Sequence, residues 1–324
     1  MTAIAQNRAG AGIGFILAGI LAISLNDMLI KHLSGGYPLH EIVLARSAIG
    51  IIVSLCIVQF EGGWTILRTA RPGLQLLRCL LVVMSNMTFF VALAAIPLAE
   101  ATALFFAAPL FITLLSVPFL GEKVGPIRLG AVAVGFLGVL IMQRPWEGAA
   151  NLEVTRIVLL LPVFSAITYA MNQILTRKLG VTSKASALSV YIQATFIGVS
   201  MLFFLFAGDG RYAAGSESAS LGFLLRAWVW PHGSDLWVMI ALGANSAIIG
   251  YCLAQAYRLA DAATVAPFEY VGLPLAVFWG WVVFGDLPSW EVWTGIMLIL
   301  AAGLFVFLRE RQKARAITHP PVRR

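Results

Sequence analysis

Ten stretches of this 324-residue chain are apolar and long enough to be considered as helices that cross a lipid bilayer. A hydrocarbon core about 30 Å thick requires about 20 apolar residues of a helix, and most of the ten reach that length. The predicted spans are Ala11–Leu33, His40–Phe60, Leu76–Ile96, Glu100–Phe119, Ile127–Met142, Thr155–Arg177, Ala185–Ala207, Leu236–Tyr257, Ala262–Phe284 and Val292–Leu308. We therefore predict an all-α membrane protein with ten transmembrane helices.

The composition agrees with a membrane protein and excludes a large soluble domain. Hydrophobic residues make up 60% of the chain and charged residues 11%, whereas soluble domains have about 25% charged residues. The longest interruption between spans, 208–235, is too short for a separate domain. The first span is too long for a cleavable signal peptide and is followed by further spans. The lipid bilayer is thus one predicted partner of the chain.

Positive charges alternate between the two sides of the predicted membrane domain. With a cytoplasmic N-terminus, sixteen of the 22 Lys and Arg residues, Arg78 among them, fall on the cytoplasmic side, and Arg46 falls within a span. The five on the opposite side are Lys31, Arg144, Arg156, Arg211 and Arg226. This bias predicts a multi-pass protein of the bacterial inner membrane with both termini in the cytoplasm. It also accounts for the net charge of +7 without a nucleic-acid partner.

The first five spans and the last five share sequence patterns. Asn26–Leu33 aligns with Asn172–Leu179, because each segment begins with Asn, carries a basic residue five positions later and ends in Leu. Leu98–Ala101 and Leu259–Ala262 match at the heads of spans four and nine. Both spans then end in a glycine and an acid, at Gly121-Glu122 and Gly285-Asp286. Since each set has an odd number of crossings, the two sets lie in opposite orientations in the membrane.

An inverted duplication is the usual architecture of secondary transporters, which place the substrate site between the two halves. We predict one five-helix repeat at 11–142, a second at 155–308 and a basic cytoplasmic tail at 309–324. A membrane-embedded enzyme or a passive pore has little need of this symmetry. The sequence has no GxxxxGK[ST] loop, and its four histidines show no metal-ligand spacing. We expect no catalytic residue, no cofactor and no metal site.

The motifs resemble those of a known family, the drug/metabolite transporter superfamily in its ten-span EamA-type branch. The resemblance covers Gly12–Arg309. It is carried by Asn26-Asp27, Lys31, Arg46, Ala92–Ala101, Pro109, Gly121-Glu122, Tyr270 and Gly285-Asp286, the last with aspartate where the family more often has glutamate. The Asn26–Lys31 segment and the Tyr37-Pro38 turn are similar to those of bacterial riboflavin and S-adenosylmethionine importers.

This resemblance implies a secondary transporter that moves a small organic metabolite by alternating access. Uptake of a vitamin-like aromatic heterocycle such as riboflavin is the favoured expectation. The alternatives are uptake of S-adenosylmethionine and export of amino acids or drug-like amphiphiles. Aromatic residues are frequent in the last spans, and a stacking surface with few charges suits a planar, largely neutral heterocycle. Near the outer end, the same residues also fit an interfacial aromatic belt.

Two opposite charges lie at the same depth in adjacent spans. Asp27 is six residues from the outer end of span one and Arg46 six residues from the outer start of span two, so each is about 9 Å deep. The aligned residues of the second half, Gln173 and Gln193, are both amides. Asp27 and Arg46 either form a polar end of the substrate cavity and its gate, or staple two helices together. In the second case Lys31 is an alternative partner for Asp27.

Prolines mark spans four and nine as neighbours of the substrate cavity. Glu269 is a second acid within the membrane, and Pro267 and Pro274 flank it. Pro109 occupies span four. A proline removes a backbone donor and kinks a helix, and the freed carbonyls must face protein or a water-lined cavity. We place the cavity beside these two spans, closed by spans one and six, with an ordinary packing kink as the alternative.

Ten polar residues within the spans are candidates for substrate binding or gating. They are Asn26, Asp27, Arg46, Asn86, Tyr169, Asn172, Gln193, Asn245, Glu269 and Tyr270. For Asn86, Tyr169, Asn172 and Asn245 the alternative is an interhelical hydrogen bond. Glycines also recur in spans five and ten, where small residues permit close contact. Those two spans either pair with each other or form the interface of a homodimer.

Overall fold

A computed structural model describes residues 3–69, 71–121, 124–147, 154–179, 185–213, 218–259, 265 and 268–318. Its α-helices are α1 (Ala3–Leu33), α2 (Leu39–Glu61), α3 (Pro72–Leu93), α4 (Leu98–Phe105), α5 (Ala108–Leu120), α6 (Pro126–Met142), α7 (Arg156–Leu179), α8 (Ala185–Ala207), α9 (Ala219–Leu225), α10 (Asp235–Leu259), α11 (Gly272–Phe284) and α12 (Trp290–Thr318). A short 3₁₀ helix, Trp64–Leu67, follows α2. Within the described ranges there is no β-strand, so this part of the fold is all-α.

Among the residues that the structure describes, eight helical segments are long and apolar enough to cross a membrane. They lie in α1, α2, α3, the α4–α5 pair, α7, α8, α10 and α12. The remaining apolar helices, α6 and α11, are shorter, at 17 and 13 residues. In the predicted ninth span, Ala262–Phe284, the described residues 265 and 268–269 are helical, a turn follows at 270–271, and α11 begins at Gly272. The motif residues Glu122, Asp261, Ala262 and Pro267 lie outside the described residues, as does the end of the tail, 319–324.

Two of the apolar segments are interrupted by a turn at matching positions. Residues 106–107 separate α4 from α5, and Pro109 stands in the first turn of α5, where its missing N–H costs nothing. The turn at 270–271 precedes α11. Both α5 and α11 end at a left-handed glycine, Gly121 with φ 70° and Gly285 with φ 72°. Phe106 and Tyr270 stand the same number of residues before these glycines.

The helices pack in pairs that join the two halves of the chain. The principal pairs are α1 with α10, α3 with α7, α2 with α8, α6 with α12, α4 with α11, α5 with α7, and α10 with α2. The largest buried side chains of the cores include Phe90, Phe223, Ile16 and Leu110. Helices from both halves thus share one interior.

Small residues lie where paired helices cross closely. On α3 and α7, Ser85 Oγ donates to the carbonyl oxygen of Ser165 at 2.9 Å, and Ser165 Oγ donates to the carbonyl oxygen of Ser85 at 2.6 Å. On α6, a methyl group at Gly138 would lie 3.0 Å from the carbonyl oxygen of Gly295 on α12. Spans five and ten therefore pair within one chain. A methyl group added at Gly130 would have no atom within 4 Å, so Gly130 takes no part in this crossing.

Candidate functional site

Arg46 is the buried centre of a polar cluster between α1 and α2. Its side chain is 7% exposed, and Nη1 donates to Asn26 Oδ1 at 3.4 Å. Asn26 Nδ2 in turn donates to Asp27 Oδ1 at 3.2 Å. Arg46 and Asp27 attract each other electrostatically, but no direct ion pair joins them. Asn26 bridges the two charges, which the matching depths alone did not predict.

Aromatic rings and amides complete the surroundings of Arg46. The guanidinium carbon lies 5.5 Å from the ring centroid of Phe90 and 5.1 Å from that of Phe196, within cation–π range. One turn further along α2, an added methyl group at Gly50 would meet Gln193 Nε2 at 2.5 Å and Ser246 Oγ at 2.8 Å. Gly50 of α2 thus lies against polar side chains of both α8 and α10. The structure brings Asn26, Asp27, Arg46 and Gln193 into one region.

Two candidate asparagines make backbone contacts. Asn245 Nδ2 on α10 donates to the carbonyl oxygen of Ala22 on α1 at 2.7 Å, which is an interhelical bond. Asn86 Nδ2 donates to the carbonyl oxygen of Val82 at 2.9 Å. Because Val82 lies one turn earlier on the same helix, this bond is not interhelical. The backbone of α3 takes up one of its donors.

A line of aromatic contacts connects Arg46 to Tyr169. The ring centroids of Phe90 and Phe89 are 5.9 Å apart, those of Phe89 and Phe105 5.4 Å, and those of Phe105 and Tyr169 5.5 Å. Tyr169 Oη accepts a hydrogen bond from Gln173 Nε2 at 2.8 Å, within α7. The described partners of Tyr169 are therefore a ring on α4 and an amide of its own helix.

The two interrupted segments meet at Phe106 and Tyr270. Their ring centroids are 5.4 Å apart, and the hydroxyl of Tyr270 lies directly against Gly303 of α12. Glu269 acts electrostatically on both Tyr169 and Tyr270. Three candidate residues, Tyr169, Glu269 and Tyr270, are thus gathered around the turns that interrupt the helices.

A small cavity of about 30 Å³ lies between α3, α7 and α8. Arg78, Cys79, Val82, Asn172, Leu188 and Ile192 line it. Arg78 and Asn172 are each 8% exposed. Charge counting assigned Arg78 to the cytoplasmic side because it lies close to a helix end. The structure instead buries it, about 9 Å along α3 from Pro72, and this is the polar residue that sequence reasoning missed.

Lys31 binds backbone rather than Asp27. Its Nζ donates to the carbonyl oxygens of Leu93 at 3.0 Å and Ile96 at 2.7 Å, and it lies 5.3 Å from the ring centroid of Phe284. The alternative pairing of Lys31 with Asp27 is therefore wrong. A cation at the end of α3 satisfies carbonyls that the helix leaves without partners.

Further hydrogen bonds tie loops and helices together at this same end of the molecule. Tyr37 Oη donates to Asp235 Oδ2 at 2.8 Å and accepts from the backbone nitrogen of His232 at 3.2 Å. Glu41 Oε2 accepts from the backbone nitrogen of Val229 at 3.2 Å. The ring of Trp228 packs against the ring of Phe204 on α8 in a tilted arrangement, with centroids 4.6 Å apart.

A second group at this end joins the two halves. Arg144 Nη2 lies 3.8 Å from Glu100 Oε1 and donates to Ser289 Oγ at 3.1 Å. Ser289 Oγ donates to Glu291 Oε2 at 2.5 Å. Glu100 and Glu291 are buried, with exposures of 5% and 7%. We call this end of the molecule the closed end. It comprises the contacts described above for Lys31, Tyr37, Glu41, Arg144 and Glu291.

The chain is similar to known transport proteins over almost its whole length. The sequence model of the EamA-like transporter family matches residues 10–144. A riboflavin transporter of Rhizobium johnstonii is 30% identical over 97% of this chain and 96% of its own length. The chain belongs to the EamA-like transporter family. A riboflavin transporter of Vibrio cholerae is 31% identical, over 93% of this chain and 94% of its own length.

A third relative has another named substrate. The S-adenosylmethionine uptake transporter of Rickettsia felis is 28% identical over 93% of this chain and 94% of its own length. Membership of the EamA-like family, within the drug/metabolite transporter superfamily, together with eight membrane-length apolar segments, makes the protein a membrane transporter. Within the described residues no group of three or more His, Cys, Asp or Glu side chains is placed to hold a metal ion.

Proposed function

We propose that this EamA-like transporter imports riboflavin by alternating access. The observation that carries the proposal is the match to two riboflavin transporters over more than nine-tenths of the chain. A match of this extent leaves less than a tenth of the chain outside the compared region. The substrate is then recognised by aromatic rings for its planar heterocycle and by a few polar groups for its edges.

An inverted ten-span architecture accommodates this function. We assign the repeats to 11–142 and 155–308 and a basic tail to 309–324. The principal helix pairs map onto one another when each helix of the first half is exchanged with one of the second. The exchanges are α1 with α7, α2 with α8, α3 with α10, α4–α5 with α11 and α6 with α12. The pair α1–α10 becomes α7–α3, and α10–α2 becomes α3–α8, all of which are in contact. The equal spacing of Phe106 and Tyr270 from their closing glycines supports the same exchange.

The orientation follows from the charges of the connections. We propose that both termini lie in the cytoplasm of a bacterial cell and that the protein spans the inner membrane. The closed end then faces outward. Its contacts hold the outer ends of the helices together, so the described conformation is closed to the outside.

The substrate site lies in the interior between the halves. We assign Phe89, Phe90 and Phe105 to stacking on the heterocycle, because ring contacts add about 0.5 to 1.5 kcal/mol beyond burial. Asn26, Arg46 and Gln193 provide polar contacts at one end. Tyr169, Glu269 and Tyr270 lie at the interrupted helices, where transporter substrate sites are usually found. The negative charge of Asp27 compensates the positive charge of Arg46.

Two other functions make different predictions. Uptake of S-adenosylmethionine, supported by the Rickettsia relative, requires groups for a cation, and Asp27 and Glu269 are two acids within the spans that could serve. Export of amino acids or drug-like amphiphiles reverses the direction of net transport. A transport measurement with labelled substrate distinguishes both alternatives from riboflavin import.

The test is uptake of radiolabelled riboflavin by a bacterial riboflavin auxotroph that carries this gene or an empty vector. We expect the gene to raise initial uptake and to permit growth on low riboflavin. Unlabelled riboflavin should compete, whereas S-adenosylmethionine should not. Unchanged uptake would rule out riboflavin as the substrate, and faster loss of preloaded label would indicate export.

A further inference from the structure

The cavity between α3, α7 and α8 contains two buried polar atoms of complementary character. Arg78 Nε and Asn172 Oδ1 have no hydrogen-bond partner among the residues that the structure describes. Each side chain is more than nine-tenths buried, and both line the cavity. Arg78 Nε carries a hydrogen and can only donate, whereas Asn172 Oδ1 can only accept. Buried polar atoms without partners are costly, so this pair favours a ligand.

The chemistry of the pair selects the ligand group. A carboxylate or phosphate offers acceptors alone and, with the carboxamide oriented as described, leaves Asn172 Oδ1 without a donor. An imide edge offers a carbonyl oxygen beside an N–H, which matches one donor and one acceptor. The cavity of about 30 Å³ has room for about two water-sized groups, which is the size of such an edge rather than of a whole ring system.

The same combination of atoms occurs a second time, beside the other arginine. Arg46 Nε and Gln193 Oε1 are also buried without a hydrogen-bond partner among the described residues. Gln193 lies against Gly50, one turn from Arg46. Arg46 is near the closed end of α2, whereas Arg78 is near the opposite end of α3. An arginine and a carboxamide oxygen therefore recur at two depths.

We propose that Arg78 and Asn172 form an inner binding station for the imide edge of the transported heterocycle, with Arg78 donating to a carbonyl and Asn172 accepting from the imide N–H. This inference rests on the proposed function, because riboflavin carries such an edge on its ring system. Arg46 and Gln193 provide the matching contacts nearer the closed end. The substrate thus exchanges one set of hydrogen bonds for an equivalent set during transport.

Cys79 provides a readout that does not depend on transport. It lines the same cavity and is 1% exposed. In the full chain with Cys56→Ser and Cys252→Ser, Cys79 is the sole thiol. The protein is placed in lipid nanodiscs, and the rate of Cys79 modification by methyl methanethiosulfonate is measured in the dark against increasing riboflavin. We expect riboflavin to slow the modification.

Two variants and one analogue test the assigned bonds. Asn172→Leu and Arg78→Gln should each raise the riboflavin concentration for half-protection about tenfold, as expected for one lost buried hydrogen bond. Tyr212→Phe, at a tyrosine that is 57% exposed and does not line the cavity, should leave this concentration unchanged. N3-methylriboflavin lacks the imide N–H. In the parent protein, its concentration for half-protection of Cys79 should therefore be about tenfold higher than that of riboflavin. In Asn172→Leu the two flavins should protect equally.

Specific outcomes would overturn the inner station. Equal protection by the two flavins in the parent protein would do so, and so would a preference for riboflavin that persists in Asn172→Leu. If Asn172→Leu melts at a lower temperature than the parent, the test rests on the parent protein alone. Protection of Cys79 by riboflavin and by N3-methylriboflavin is then compared there. Uptake of riboflavin without protection of Cys79 overturns the station and leaves the proposed function standing, whereas absence of uptake removes both.

Discussion

Phe106 and Tyr270 stand at equivalent points of the two interrupted segments, and their rings contact each other with centroids 5.4 Å apart. Phe105 and Phe106, adjacent in sequence, contact tyrosines in different segments, Tyr169 in α7 and Tyr270 in the turn before α11. A displacement of the turn at 106–107 therefore changes packing on two sides at once. If the halves rearrange during transport, this contact must rearrange with them.

The first prediction concerns the space beside Tyr270. Replacing Gly303 with Ala places a methyl group against the Tyr270 hydroxyl, so the ring must shift. We expect Gly303→Ala to lower riboflavin uptake about tenfold and Gly303→Ala/Tyr270→Phe to recover part of the loss, because the hydroxyl is the nearest atom. Gly198→Ala, whose added methyl group has nothing within 4 Å, is the control. Equal losses in the single and double variants would show that the contact is unimportant.

The second prediction separates the two interpretations of Asp27 and Arg46. Arg46→Gln leaves Asp27 without its nearby positive charge and should lower the free energy of unfolding by about 3 kcal/mol, measured by thermal melting. Asp27→Asn/Arg46→Gln removes both charges and should restore most of the stability.

We expect uptake to stay at least about tenfold reduced in this double variant, since the contact to substrate is lost along with the guanidinium. Normal uptake by a stable double variant would identify the pair as a structural staple.

The third prediction tests the closed end. Tyr37→Phe removes the bonds of the hydroxyl to Asp235 and to the His232 backbone. A loss of about 1 kcal/mol shifts a two-state equilibrium about fivefold toward the outward-open form. A cysteine introduced at Ser34 should then react faster with an impermeant maleimide applied outside. Tyr212→Phe, at a tyrosine that is 57% exposed, should not change that rate. No acceleration in Tyr37→Phe would contradict a gating role.

The fourth prediction concerns coupling to protons. Glu269 lies beside the interrupted helices and acts on Tyr169 and Tyr270. If its carboxyl carries the proton, riboflavin uptake rises as the external pH falls, and Glu269→Gln makes uptake independent of pH. Asp27→Asn should keep the pH dependence. The reverse pattern in these two variants would assign the proton to Asp27.

The long apolar stretches predicted the helical membrane character and many helix bounds, and the predicted span Ala185–Ala207 coincides with α8. The partners of single polar side chains were less accessible to sequence reasoning. Lys31 was compared with Asp27 on its own helix, yet it binds carbonyls that are 62 and 65 residues away in sequence. Arg78 was counted as a loop charge, since distance from a helix end does not reveal which face a neighbouring helix covers.

The reciprocal bonds between Ser85 and Ser165 restrict how α3 and α7 can move. Each hydroxyl bonds the carbonyl oxygen of the other residue, so a sliding motion of one helix along the other would break both bonds together. A tilt of the helices about this crossing point would keep them. A motion that keeps both bonds must therefore turn about the serine pair, so the ends of α3 and α7 would travel furthest while their crossing stays fixed.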